Sequence, residues 1–145
     1  MSAAKATLDY SILIADDDTQ CREAIRDIIE PEGFRAVTAS SGEEAIDIVQ
    51  HDLVHLVLLD MYMLKLTGLE TLGIVRQFNA MLPAILVTAD ASDSLVRRAI
   101  AAQFFSVVPK PVSKNVLLYT VARALHRSYG QPRATPDPTS QGDRE

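Results

Sequence analysis

The 145-residue chain has a single cysteine, Cys21, so it can form no internal disulfide, and this points to a reducing, cytosolic setting. Long apolar runs are missing too. The greasiest stretch, residues 53–66, is interrupted by His55, Asp60 and Lys65, which excludes a membrane-spanning helix. The opening MSAAKATLDYS lacks the apolar core of a signal peptide. Basic charge is scarce: the formal net charge is −5 and no basic stripe stands out, which argues against nucleic-acid binding by this chain alone. No repeat recurs at solenoid spacing.

What is present is an ordinary globular composition, 48% hydrophobic and 23% charged, at a length that suits one domain with a real core. Short apolar runs alternate with amphipathic ones. Ser11 to Ala15 reads as a strand, and Cys21, Ala24, Ile25, Ile28 and Ile29 then mark one face of a helix that Pro31 and Gly33 stop. Phe34 to Thr38 reads as a second strand, followed by a capping box at Ser41-Gly-Glu-Glu44 and a helix burying Ala45, Ile46 and Val49. His55 to Leu59, Ala84 to Val87 and Phe104 to Val108 supply three more strands. Between and after them lie helices over Leu69 to Phe78, behind a Ser92 cap, and behind a Ser113 cap. Five βα units imply an α/β fold, a parallel sheet with helices on both faces. The pattern covers about residues 10–128; residues 129–145, rich in Pro, Ser, Thr and charge, read as a disordered tail or linker stub.

The chemistry gathers at strand ends. Asp16, Asp17, Asp60, Thr88 and Lys110 all fall at or just after predicted strands, and in an open parallel sheet such positions converge on one crevice. Clustered carboxylates repel and call for a cation. Other candidates have plainer readings: Asp18 is a helix cap, Cys21 a packed thiol on an apolar face, and Met61 and Met63 line the loop beside the pocket. His51 and His55 straddle a helix end and a strand start, a poor arrangement for zinc.

An acidic pair after the first strand, an Asp after the third, a Thr after the fourth and a Lys-Pro after the fifth resemble the receiver domains of two-component response regulators. That resemblance implies a flavodoxin-like fold with strand order 2-1-3-4-5. It implies Asp60 as phosphoacceptor, with a sensor histidine kinase or phosphotransfer protein as donor. Magnesium, for which manganese can stand in, would be held by Asp17 and Asp60, by Asp16 through water, and by the backbone carbonyl of Tyr62. Lys110 would pair with Asp60 at rest and with a phosphoryl oxygen afterwards, and Thr88 would donate its hydroxyl to the phosphoryl group. Ala89 is small enough to leave an entry path. The Lys110–Pro111 bond is expected to be cis, and an output partner is expected on the face of the fourth helix, fifth strand and fifth helix. Such a chain would modify itself without turning over a separate metabolite, so it would not be an enzyme in the ordinary sense.

The chain also departs from that family's pattern. Leu64 replaces a proline and Thr67 an Asp, which predicts a looser loop after Asp60. Val107 replaces the aromatic residue that usually swings inward, and Gln103 a glycine. Three alternatives stand beside the receiver reading. A flavin-phosphate module is disfavoured because Asp16-Asp17-Asp18 would repel the phosphate. A haloacid-dehalogenase-type phosphatase would need an acid where Tyr62 stands. A pseudo-receiver that only binds other proteins remains open because of Val107.

Overall fold

The computed structural model describes residues 10–130, so the reading of a tail lies, beyond Gly130, outside the described residues. Strands β1 (Ser11–Ala15), β2 (Arg35–Ala39), β3 (Leu56–Asp60), β4 (Ala84–Thr88) and β5 (Ser106–Pro109) alternate with helices α1 (Thr19–Ile29), α2 (Gly42–His51), α3 (Gly68–Phe78), α4 (Asp93–Ala101) and α5 (Lys114–Tyr129). The sheet is parallel throughout, in the order β2-β1-β3-β4-β5. All residues of β1, β3 and β4 are buried, as strands apolar on both sides must be when helices cover both faces.

Side-chain alternation divides the core into two layers. Leu13, Val57, Leu59 and Leu86 face Ala45, Val49, Leu72, Val75, Leu95 and Ala99 of α2, α3 and α4. Ile12, Ile14, Leu58 and Ile85 face Ile25, Ile29, Leu117, Val121 and Leu125 of α1 and α5. Fully burying each Val, Leu or Ile among them contributes about 1.5–3 kcal/mol, so the layers fix the register. No helix of the described residues is long and apolar enough to cross a membrane.

Several boundaries move from their sequence positions. Strand β2 lies one residue later than Phe34 to Thr38. Strand β3 also slides by one, because the His55 N–H donates to the Ser11 carbonyl while the Ser11 N–H donates to His55 Nδ1, placing the imidazole where a strand carbonyl would be. Strand β5 starts two residues late, since Gln103 takes a left-handed φ of 68° and the Phe104 N–H still donates to Ala99 of α4. Helix α1 ends in a 3-10 turn over Glu30–Glu32 before Gly33 at φ 98°.

The caps hold at Asp18, Ser41, Ser92 and Ser113, each side chain accepting a backbone N–H of the first turn. The box at Ser41 is incomplete, because Glu44 reaches back to the Ser40 N–H instead. A complete box forms at Thr67 and Glu70, where each side chain accepts the other residue's N–H. The loop after Asp60 is therefore pinned rather than loosened by Thr67. Met61 and Met63, in the loop after Asp60, are buried and pack into the α2–α4 side of the core.

Glycine at 68 lets this loop close. A Cβ there would stand 2.6 Å from the Asp60 carbonyl oxygen and 2.9 Å from Leu86 Cδ1. Gly68→Ala is accordingly expected to lower stability by about 1–3 kcal/mol, the usual cost of overpacking, readable as an earlier midpoint in urea unfolding. An unchanged midpoint would show that the loop yields freely.

Candidate functional site

The register of the sheet sets the site. Ala15 pairs with Ala39 and Leu59, Asp60 with Val87, and Thr88 with Pro109, so the residues that follow or end these strands share one edge. At that edge the ligand atoms of Asp16, Asp17 and Asp60 lie within 4.8 Å of one another. Asp16 and Asp60 are buried and Asp17 is exposed.

Lys110 reaches into the cluster from the end of β5. Its Nζ stands 2.9 Å from Asp16 Oδ2 and 3.3 Å from Asp60 Oδ1. The expected Lys110–Asp60 pair is present, yet the shorter contact is with Asp16. Main-chain bonds hold the frame: the Asp18 N–H donates to Asp16 Oδ1 at 2.9 Å, Arg22 donates to the Asp16 carbonyl at 2.7 Å, and the Lys110 N–H donates to the Thr88 carbonyl at 2.9 Å. The Lys110–Pro111 bond is cis.

Two buried carboxylates beside one ammonium titrate apart. Burial pushes Asp60 up, and the neighbouring charge of Asp16 pushes it further, to about 6; Lys110 and the Tyr62 N–H only partly offset this. Burial also works to raise Asp16, but its bonds from Lys110, the Asp18 N–H and the Cys21 thiol outweigh it, and the group stays below the usual carboxylate range. Lys110 would lose its proton more readily through burial alone, yet the two carboxylates hold it firmly charged. Cys21, half-buried and bonded to Asp16, is driven up to about 12 by burial first and by Asp16 second, so it stays a thiol.

Thr88 is fully buried, and its hydroxyl accepts the Asp90 N–H at 3.0 Å. Asp90 also accepts the Tyr62 hydroxyl at 3.0 Å, which ties the loop after β3 to the loop after β4 across the rim of the site. Sequence reasoning gave Asp90 no role. The available signal was its place two residues after Thr88, where an Asp commonly closes a turn. Tyr62 sits in the loop after Asp60 with an exposed ring, and Ala89 is exposed beside Thr88. Val107 is half-buried against the α2–α4 layer. His51 bonds within its own helix and His55 bonds to Ser11, so the two make no shared site.

The donor set fits a hard divalent cation. Three carboxylates converge, and Asp16 Oδ2 is buried with no hydrogen bond of good geometry despite the nearby ammonium. The described residues hold no other group of three such ligands.

Comparisons with known proteins agree with this geometry. Residues 12–122 match the family described as response regulator receiver domain. The chain is 33% identical over 120 residues to the transcriptional regulatory protein CpxR of Escherichia coli (strain K12), covering 81% of this chain and 50% of that protein. It is 35% identical over 126 residues to the response regulator MprA of Mycolicibacterium vanbaalenii, covering 87% of this chain and 52% of that one. The chain thus spans about half the length of these curated relatives. The crystal structure of a CheY-like receiver domain protein from Methanospirillum hungatei JF-1 superposes with a TM-score of 0.77 at 26% identity, covering 82% of this chain and 95% of that one.

The raised Asp60 carboxyl has a checkable consequence. In cation-free protein its 13C resonance should titrate near pH 6, and Asp16→Asn should lower that midpoint by removing the like charge. Because the folded value lies above the ordinary carboxylate value of 3.8, the contribution of this group to stability is present below about pH 4 and is lost as pH rises through 6. A midpoint unmoved by Asp16→Asn would mean that the two carboxylates are not coupled.

Proposed function

The chain belongs to the response regulator receiver domain family of two-component signalling, and from that membership we propose that Asp60 accepts a phosphoryl group from a sensor histidine kinase or a phosphotransfer protein. The carboxylate oxygen attacks the phosphorus of a phosphohistidine in line. The P–N bond breaks, the imidazole leaves and takes up a proton, and an acyl phosphate remains. One observation carries this reading: a lysine Nζ bridges two buried carboxylates beside a third, at the carboxyl edge of a parallel sheet.

Each side chain then has a task. Lys110 keeps Asp60 ionised at neutral pH, and after transfer it neutralises a phosphoryl oxygen. Thr88 gives up the Asp90 N–H and donates its hydroxyl to the phosphoryl group. Asp16, Asp17 and Asp60, with the Tyr62 carbonyl, would hold magnesium or manganese, which supplies positive charge for the transferring group. The domain catalyses its own phosphorylation and slow dephosphorylation in the cytoplasm, turns over no separate metabolite, and signals to an output partner through the α4–β5–α5 face. By itself it binds no nucleic acid.

A second reading, an interaction module that works without phosphorylation, draws on Val107, which offers no ring to move when Thr88 shifts. One experiment separates them. Incubation with acetyl phosphate and magnesium should add one phosphoryl group by intact mass to the wild type and none to Asp60→Asn, and omitting magnesium should prevent the gain. An equal gain on both proteins would remove Asp60 from its role, and no gain on either would favour the interaction module.

A further inference from the structure

The amino ends of the strands form the pole opposite the carboxylates, and the fold leaves an apolar surface exposed there. Leu53, three residues before β3, and Met81, three before β4, are 75% and 84% exposed, and Tyr129 at the end of α5 is 42% exposed. With Tyr10 and Val54 they line one hollow of about 610 Å³. Phe78, at the end of α3, is exposed next to Asn79 of the same lining. Single exposed apolar residues need no explanation, but several gathered around one hollow mark an interaction surface.

This hollow has an acid on one flank and a base on the other. Asp52, which ends α2, lines a second hollow toward β2 that shares Leu53 and His55 with the apolar one. Arg127, in the last turn of α5, lines the apolar hollow from the β5 side, where it lies 5.6 Å from the centroid of Phe105, beside Arg123 at 5.9 Å. Asp52 and Arg127 are both exposed, and neither has an ion pair among the described residues, although Arg35 lines the second hollow too. Asp52 is also set against the partial negative charge at the C-terminus of its own helix, so a cation from outside the chain would relieve it. Arginine laid on an aromatic face keeps its charge, and its edge donors remain free for a carboxylate.

We propose that this pole is a self-complementary surface that docks a second copy of the chain, Leu53, Met81 and Tyr129 of the two copies packing together and Asp52 of each meeting Arg127 of the other. A two-fold axis through the apolar hollow exchanges its flanks, so both ion pairs form at once and the assembly closes at a dimer. An apolar centre with charged residues at the rim is the usual anatomy of a protein interface. A lipid surface would want basic residues alone, and nucleic acid is unsuited to a chain of net charge −5. The proposal leaves both carboxylate pole and phosphotransfer reading untouched, and draws on neither.

The test is sedimentation equilibrium of the full chain, unphosphorylated and without magnesium, over a range of concentrations. The wild type should pass from monomer to dimer and no further. The double variant Leu53→Asp, Met81→Asp should dimerise about tenfold or more weakly, the loss expected when central contacts are removed. Asp52→Arg and Arg127→Asp should each weaken the dimer by setting like charges together, and combining the two should restore it. All four positions are exposed, so the variants should fold as the wild type does by circular dichroism. Arg123→Gln, on the outer face of α5, should dimerise as the wild type does. A chain that stays monomeric up to about 1 mM, its pole covered by its own termini or by nothing, would overturn the proposal. So would assemblies larger than a dimer, a dimer indifferent to Leu53→Asp, Met81→Asp, a combined charge exchange that fails to restore it, or a dimer lost in Arg123→Gln.

Discussion

Asp16 and Asp60 are buried within reach of a single ammonium, and this shortage of positive charge governs the carboxyl edge of the sheet. Lys110 sits closer to Asp16 than to Asp60, so the pair divides: Asp16 is held ionised while Asp60 rises to about 6. Removing one partner from such a buried arrangement would leave an uncompensated charge, at a cost of about 3–5 kcal/mol by general precedent. The unevenness suits an acceptor. Of the two buried carboxylates Asp60 is the one whose charged form is disfavoured, and so the one with most to gain from a further cation.

The rest of the fold keeps those groups from relaxing apart. Strand pairing fixes Asp60 opposite Val87, and the Lys110 N–H is tied to the Thr88 carbonyl, so three of the strand ends cannot drift independently. The Gly68 N–H donates to the Met61 carbonyl, Thr67 caps α3, and the two methionines anchor the loop in the core. At the opposite edge the Tyr129 hydroxyl donates to the His55 carbonyl at 2.7 Å, with Tyr10 packed against both rings, which docks the end of α5 onto the start of the sheet. Rigidity at both ends and in the loop after β3 leaves the loop after β4, tied to it by the Tyr62–Asp90 bond, as the natural place for change.

Much of this was legible in the residues because two periodicities coincide with turn chemistry. Continuous apolar runs such as Leu56 to Leu59 and caps such as Ser92 and Ser113 announce buried parallel strands and helix starts, and the order of Asp, Asp, Thr and Lys at strand ends announces the site. What escaped depends on side chains acting in place of backbone. His55 accepts a strand N–H and shifts β3 by one, Glu44 serves Ser40 rather than Ser41, and Thr67 builds a capping box with Glu70 where a looser loop was expected. The Asp16 preference of Lys110, the Asp90 bridge and the gathering of arginines around Phe105 come from non-local packing, on which sequence spacing is silent.

Because Lys110 supplies one charge to a three-carboxylate cluster, a divalent cation should be bound before any phosphoryl donor arrives and should stabilise the fold by mass action. Thermal unfolding followed against magnesium concentration measures this directly. The account predicts a melting temperature that climbs with magnesium in the wild type and stays nearly flat in Asp17→Asn, which removes the exposed ligand without disturbing the buried pair. A wild-type midpoint indifferent to magnesium, or an equal rise in both proteins, would contradict it.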